Sequence, residues 1–127
     1  FMKSIIFTEK APAPIGPYSQ AVQTGNMLFV SGQIPIDPVT NQLISDTIKD
    51  EAGQVMENLG ALLLKAGFSF ENVVKTTIFL SDMNHFAEVN EVYGSYFKSD
   101  YPARETVAVL GLPKNVNVEI SLIAVKA

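Results

Sequence analysis

The stretch "NVVKTTIFLSDMNHFAEVNEVYGSYF", residues 72–97, changes its apolar period halfway along. Its first part alternates, with Val74, Thr76, Ile78 and Leu80 on one side, the repeat of a strand that buries one face. After Met83 the apolar residues recur as Phe86, Val89, Tyr93, Tyr96 and Phe97, the spacing of a helical stripe. A strand running straight into an amphipathic helix needs a shared layer against which both can bury a face.

Working outward, "SDTIKDEAGQVMENLGALLLKAG" (45–67) predicts a second helix from Ser45 or Asp46 to Ala66. Its stripe is Ile48, Ala52, Val55, Met56, Leu59, Leu63 and Ala66, with Asp50, Glu51 and Glu57 off it. Ser45 or Asp46 serves as N-cap, and Gly67 stops the helix. Gly53 and Gly60 inside it are expected to pack closely on a sheet. Further upstream, "MKSIIF" reads as a strand and "TEKAPAPIGPYSQ", with its three prolines, as a loop. "QAVQTGNMLFVSG" reads as a hairpin around Gly25-Asn26, and "QIPIDPVTNQ" as a second loop. Downstream of Pro102, "RETVAVLGL" and "VNVEISLIAVKA" predict two strands joined around Pro113-Lys114-Asn115. Taken as a hairpin, they set Arg104 near Ile123 and about 13 Å along the strand from Glu119. The order is βββαβαββ: an α+β sandwich with two helices on one face of a mixed sheet. The other face, rich in β-branched residues, is left bare and calls for association.

At 127 residues the chain is long enough for one domain, residues 1–127, with its own core. Hydrophobic residues make up 47% and charged residues only 17%, which favours apolar surface buried between subunits. A net charge of −4 opposes binding to a phosphate backbone, so no nucleic-acid partner is expected. With no cysteine there is no disulfide, thiol catalysis or thiolate metal site. No apolar run reaches the length of a membrane span and no leader is evident, so a soluble, cytoplasmic protein is expected.

Arg104, in "YPARETVAV" (101–109), is the only arginine, and it stands at the start of an apolar strand. It either snorkels to solvent or presents a planar, permanently charged fork to a carboxylate. Glu105 is a poor partner for it, because adjacent strand residues point to opposite faces. Glu119, in "VNVEISLIAV", is either a solvated edge residue or a desolvated carboxylate able to move protons to and from water. Tyr18 and Ser31 sit at loop–strand junctions where proline and glycine fix the backbone. Gly32 can offer a bare N–H to an anion, or all three merely shape turns. Asn90 is a helix amide, solvated or ligand-binding. His85, the only histidine, reads as a surface residue and cannot form a metal site or a catalytic triad alone. Without a dinucleotide or phosphate-binding glycine motif, cofactor-free chemistry or plain binding remains.

Together, "IGPYSQAV", "LFVSGQIP", "NLGALLLKAG", "VVKTTIFLSDMN", "VNEVYGSYF", "YPAR" and "LPKNVNVEISLIAV" resemble the Rid family of YjgF-type reactive intermediate deaminases, most closely its RidA branch. The resemblance runs in order along essentially the whole chain. It implies a chorismate-mutase-like homotrimer with sites in the clefts between subunits. It also implies hydrolysis of enamines and imines such as 2-aminoacrylate and 2-iminobutanoate to 2-keto acids and ammonia, with no cofactor. The family's motif residues fall on Arg104, Tyr18, Ser31, Gly32, Glu119 and Asn90. Serine and cysteine usually follow the arginine; Glu105 and Thr106 stand there instead, and Thr106 is expected to line the pocket. Two other functions compete: a non-catalytic binder of carboxylate metabolites, and a ribonuclease or translation inhibitor, which the acidic balance and single histidine oppose.

Overall fold

In the computed structural model, which describes residues 2–127, β1 (Ser4–Ile6), β2 (Ala21–Thr24) and β3 (Met27–Gln33) form an antiparallel meander. Its tight turn falls at Gly25-Asn26, where Gly25 takes φ 57°. The segment expected to be a second loop instead folds into a small ribbon, β4 (Ile36–Asp37) against β5 (Gln42–Leu43). Asp37 closes it: its side chain accepts from the Val39 N–H at 2.8 Å and its carbonyl from the Asn41 N–H at 2.8 Å. The helix α1 covers Ile48–Ala66. Its N-cap is Thr47, not Ser45 or Asp46, because the Thr47 hydroxyl is the group placed to accept from the Asp50 N–H, at 3.0 Å. Gly67 ends it at φ 81°, as expected.

The segment around residue 72 forms β6 (Val73–Leu80), a single 3₁₀ turn (Met83–His85) and α2 (Phe86–Gly94). The helix stops at Gly94, so Tyr96 and Phe97 lie beyond it. They still pack inward through a cluster of rings in which Phe70 sits 5.3 Å from Tyr96 and 5.6 Å from Phe97. Thr76, Ile78 and Leu80 are buried as predicted, whereas Val74 is displaced to the surface by an irregularity between Val73 and Lys75. Of the two helix glycines, Gly60 faces the Phe70 ring rather than the sheet, and Gly53 has open space beside it.

The last two strands, β7 (Ala103–Ala108) and β8 (Val118–Val125), do not form the expected hairpin. The sheet order is β1-β2-β3-β8-β6-β7: β8 is inserted antiparallel between β3 and β6, and β7 runs parallel to β6 on the outer edge. Arg104 therefore pairs with Thr76, not with Ile123. A parallel pairing needs a crossover, and α2 supplies it between β6 and β7. The connection into β8 turns through Lys114 and Asn115, both in left-handed backbone at φ 56° and 57°.

Strand alternation divides the sheet into two chemically distinct faces. Leu28, Val30, Ile78, Leu80, Val118, Ile120, Leu122 and Ala124 point to one face and are buried with Val55, Met56, Leu59, Leu62 and Leu63 of α1. Each large aliphatic side chain removed from water there stabilises the fold by about 1.5–3 kcal/mol. No helix covers the other face, where Ile5, Phe29 and Val107 retain 56%, 40% and 45% exposure. Among the described residues no helix is long and apolar enough to cross a membrane. Thr47→Ala should lower stability by about 1 kcal/mol in chemical denaturation. Ser45→Ala and Asp46→Ala should each stay within about 0.5 kcal/mol, and the reverse ranking would return the cap to those residues.

Candidate active site

The two-sided sheet sorts the residues singled out in the sequence into two groups. Arg104 lies on the helix-covered face of the edge strand β7. Its guanidinium stands 5.5 Å from the ring of Phe86 and 5.3 Å from that of Tyr93. One amino group, Nη1, donates to the Asn90 side-chain carbonyl. Phe86, Asn90 and Tyr93 are spaced four and three residues apart, so one face of α2 presents all three to the arginine. The Tyr93 hydroxyl is anchored in turn to Thr76 at 2.8 Å, and burial pushes its pKa up. Arg104, Asn90 and Tyr93 also line a cleft of about 600 Å³ with Glu91, Gly94, Tyr101 and Pro102.

Thr106 follows two residues along the same face, and its Oγ1 is buried without a hydrogen-bond partner. Glu105 faces the other way, as expected, and pairs with Lys75 at 3.1 Å. His85, expected at the surface, is half-buried, with its Nδ1 enclosed and unpartnered beside Phe86 at the head of α2. Neither Phe86 nor Tyr93 was singled out from the sequence, because both read as core residues of the helical stripe.

Glu119 belongs to the second group. It points to the uncovered face of β8, opposite Phe79. The β3–β8 ladder has a bulge there: Ser31 and Gly32 lie between the pairs Val30–Leu122 and Gln33–Ile120, against Ser121 alone. The Glu119 carboxylate rests on that bulge, so close that a Cβ on Gly32 would fall 2.1 Å from its Oε2. Glycine is required here by the neighbour's approach. Burial raises the pKa of Glu119 above the usual carboxylate value. Gly32 and the half-exposed Tyr18 also line a cleft of about 490 Å³ with Gln33 and Lys114. Ser31 has its hydroxyl engaged within the chain. Its Oγ donates to the Ser19 carbonyl at 2.6 Å and its N–H to the Gln20 carbonyl at 3.0 Å, so it fastens the proline-rich loop beside Tyr18.

Arg104 and Glu119 are thus not neighbours in one chain. They are separated by two strand spacings and three residues, about 14 Å between Cα atoms, and they point to opposite faces of the sheet. One small molecule cannot touch both groups of a single chain.

The sequence profile of a family described as Endoribonuclease L-PSP matches residues 8–126. The chain is 55% identical over 125 residues to a RutC family protein of Pyrococcus horikoshii, covering 98% of this chain and 99% of that one. It is 49% identical over 125 residues to the 2-iminobutanoate/2-iminopropanoate deaminase of Mus musculus, covering 98% and 93%. A solved structure of a Rid family protein from Yersinia pestis superposes with a TM-score of 0.96 at 47% identity, covering 98% of this chain and 100% of that one.

The raised pKa makes a stability prediction. In the folded protein Glu119 holds its proton to higher pH than in the unfolded chain. Its desolvation therefore lowers stability above the folded pKa, and the loss is relieved as the pH falls through that value. Glu119→Gln should melt at a higher temperature than the parent at pH 7, with the difference closing towards pH 4.5. Parallel melting curves across that range would show that the carboxylate is not desolvated.

Proposed function

Since the chain belongs to the Endoribonuclease L-PSP family, the YjgF-type Rid proteins, we propose that it hydrolyses small reactive enamines and 2-imino acids to 2-keto acids and ammonia. Substrates of this class are 2-aminoacrylate and 2-iminobutanoate, and the reaction uses no cofactor. The observation that carries the proposal is the pair of half-sites: an arginine fork braced by two rings and an amide, and a desolvated carboxylate seated on a glycine bulge. Curated relatives named 2-iminobutanoate/2-iminopropanoate deaminase support the choice of substrate.

In the proposed mechanism the enamine first tautomerises to the imine, whose C2 is electrophilic. Arg104 binds the substrate carboxylate through two parallel hydrogen bonds and so fixes the plane of the C=N bond. Glu119 accepts a proton from water as the water oxygen bonds to C2, and passes it to the imine nitrogen, giving a carbinolamine. The same carboxylate then takes the carbinolamine hydroxyl proton and delivers it to the amino nitrogen as the C–N bond breaks, so that ammonia leaves while the carbonyl forms. A carboxyl whose pKa burial raises above the usual carboxylate value is suited to both transfers. In this reading the Gly32 N–H and the Tyr18 hydroxyl, which line the adjoining cleft, orient the substrate beside it.

For the two half-sites to act together they must come from different chains. We therefore also propose a homotrimer in which the edge strand β7 of one protomer lies over the uncovered sheet face of the next. That packing buries Ile5, Phe29 and Val107 and brings Arg104 to the partner's Glu119. Light scattering should give a particle of three chains.

Arg104→Lys tests the fork directly. It keeps the charge but not the planar pair of donors, so kcat/KM for ammonia release from freshly generated 2-aminoacrylate should fall roughly 10²-fold or more. Near-parental turnover in a folded, assembled Lys variant would end the carboxylate-clamp role. A parent chain that binds 2-oxobutanoate yet releases no ammonia would be a carboxylate binder rather than a deaminase.

A further inference from the structure

Glu51 is the one buried charged side chain among the described residues, with 2% exposure. It lies in the first turn of α1, and the sequence pattern places it outside the apolar stripe. Among the described residues the ion pairs join Lys49 to Glu91 and Lys75 to Glu105, so neither involves this carboxylate. It is instead saturated by one residue. Oε1 accepts the backbone N–H of Asn117 at 3.0 Å, and Oε2 accepts its side-chain amide at 2.7 Å. The Asn117 Oδ1 accepts from the Ser81 hydroxyl at 2.6 Å, and its carbonyl accepts from the Ser81 N–H at 3.0 Å.

The start of α1, the end of β6 and the approach to β8 are thereby tied together at Asn117, two residues before Glu119. The location matters because β8 is held continuously there along one edge only, by the pairs Leu80–Val118, Phe79–Glu119 and Ile78–Ile120 with β6. From Leu122 to Val125 it pairs continuously with β3, but the bulge at Ser31-Gly32 interrupts that ladder beside Glu119. A buried carboxylate far from a cation is costly to keep, and an apolar side chain would pack α1 as well. What an apolar residue or an amide cannot do is present a separate acceptor oxygen to each of the two donors of Asn117. Glutamine has a single acceptor oxygen and would turn its own NH₂ towards the Asn117 amide.

We propose that Glu51 is a positioning residue for the deamination: acting through Asn117, it fixes the start of β8 so that the Glu119 carboxylate stays over Gly32. The proposal rests on the deaminase assignment above, and its test separates the two. Glu51→Gln should keep the trimer, the circular dichroism spectrum, KM and 2-oxobutanoate affinity, since Arg104 sits in the other half-site. Its kcat should fall about 10- to 100-fold, as expected for a slightly misplaced catalytic group. The double variant E51Q/N117D restores every hydrogen bond with one donor and acceptor exchanged. The introduced amide donates to the introduced carboxylate and still accepts the backbone N–H at position 117, while Ser81 still donates to that carboxylate. Its kcat should return close to the parental value.

Parental kcat in Glu51→Gln, or a loss that the double variant does not recover although its stability does, would overturn the proposal. Should Glu51→Gln fail to fold, Ser81→Ala removes one exposed bond of the same cluster. A lowered kcat at constant KM would then support the proposal, and an unchanged kcat would overturn it. If the parent chain releases no ammonia, the deaminase assignment fails by itself. Positioning is then read from the carbon-13 titration of the Glu119 carboxyl. A midpoint shifted in Glu51→Gln and restored in E51Q/N117D supports it, and an unshifted midpoint overturns it.

Discussion

β8 is hydrogen-bonded along both edges, to β3 and to β6, which leaves none of its side chains a choice of face. Val118, Ile120, Leu122 and Ala124 must enter the core with α1, so Glu119, Ser121 and Ile123 must face away from the helices. The same alternation passes across β6 to the edge strand, where pairing with the buried Thr76 commits Arg104 to the helix side. Separation of the two reactive groups is therefore a consequence of core packing. Moving either to the other's face would require a one-residue slip that exposes a whole row of aliphatic side chains.

Each half-site solves a different electrostatic problem. The guanidinium lies beside two aromatic rings, contacts each worth on the order of 0.5–1 kcal/mol at a partly exposed site, and donates to an amide oxygen. None of them neutralises it, and an arginine with no ion pair among the described residues is poised to take an anionic ligand. Glu119 is treated in the opposite way: it is withdrawn from water, neither ion pair among the described residues involves it, and its pKa rises. Glycine at position 32 allows that carboxylate to sit against the backbone of β3. On the proposed reading, a bound 2-imino acid and its attacking water would relieve both states, the substrate carboxylate meeting the fork and the water proton meeting the base.

Local patterns in the sequence carried much of this, and long-range ones little. The period change after residue 82, Gly67 as a helix stop and the Gly25 turn all report short-range geometry, and all are present in the structure. The motif residues Arg104, Asn90, Glu119, Gly32 and Tyr18 were likewise nameable. The pairing of β7 was not, because two apolar strands joined by nine residues look like a hairpin whether or not a third strand has first claim on them. That single pairing error would have placed Arg104 and Glu119 on one hairpin. The sequence marked Glu51 only as lying off the apolar stripe; its burial depends on the donors of Asn117, far away in sequence. Thr47 lost out to Ser45 and Asp46 because cap preference alone does not say where the first turn begins.

The central claim is that a working site takes Arg104 from one chain and Glu119 from another. Chains carrying Arg104→Ala and chains carrying Glu119→Gln, each inactive alone, should be co-refolded and ammonia release from 2-iminobutanoate measured on assemblies shown to contain both. Shared sites predict recovery, with roughly one site in four fully intact in a random equal mixture. Mixed assemblies that remain as inactive as either parent would place both groups in a site built by one chain and contradict the account.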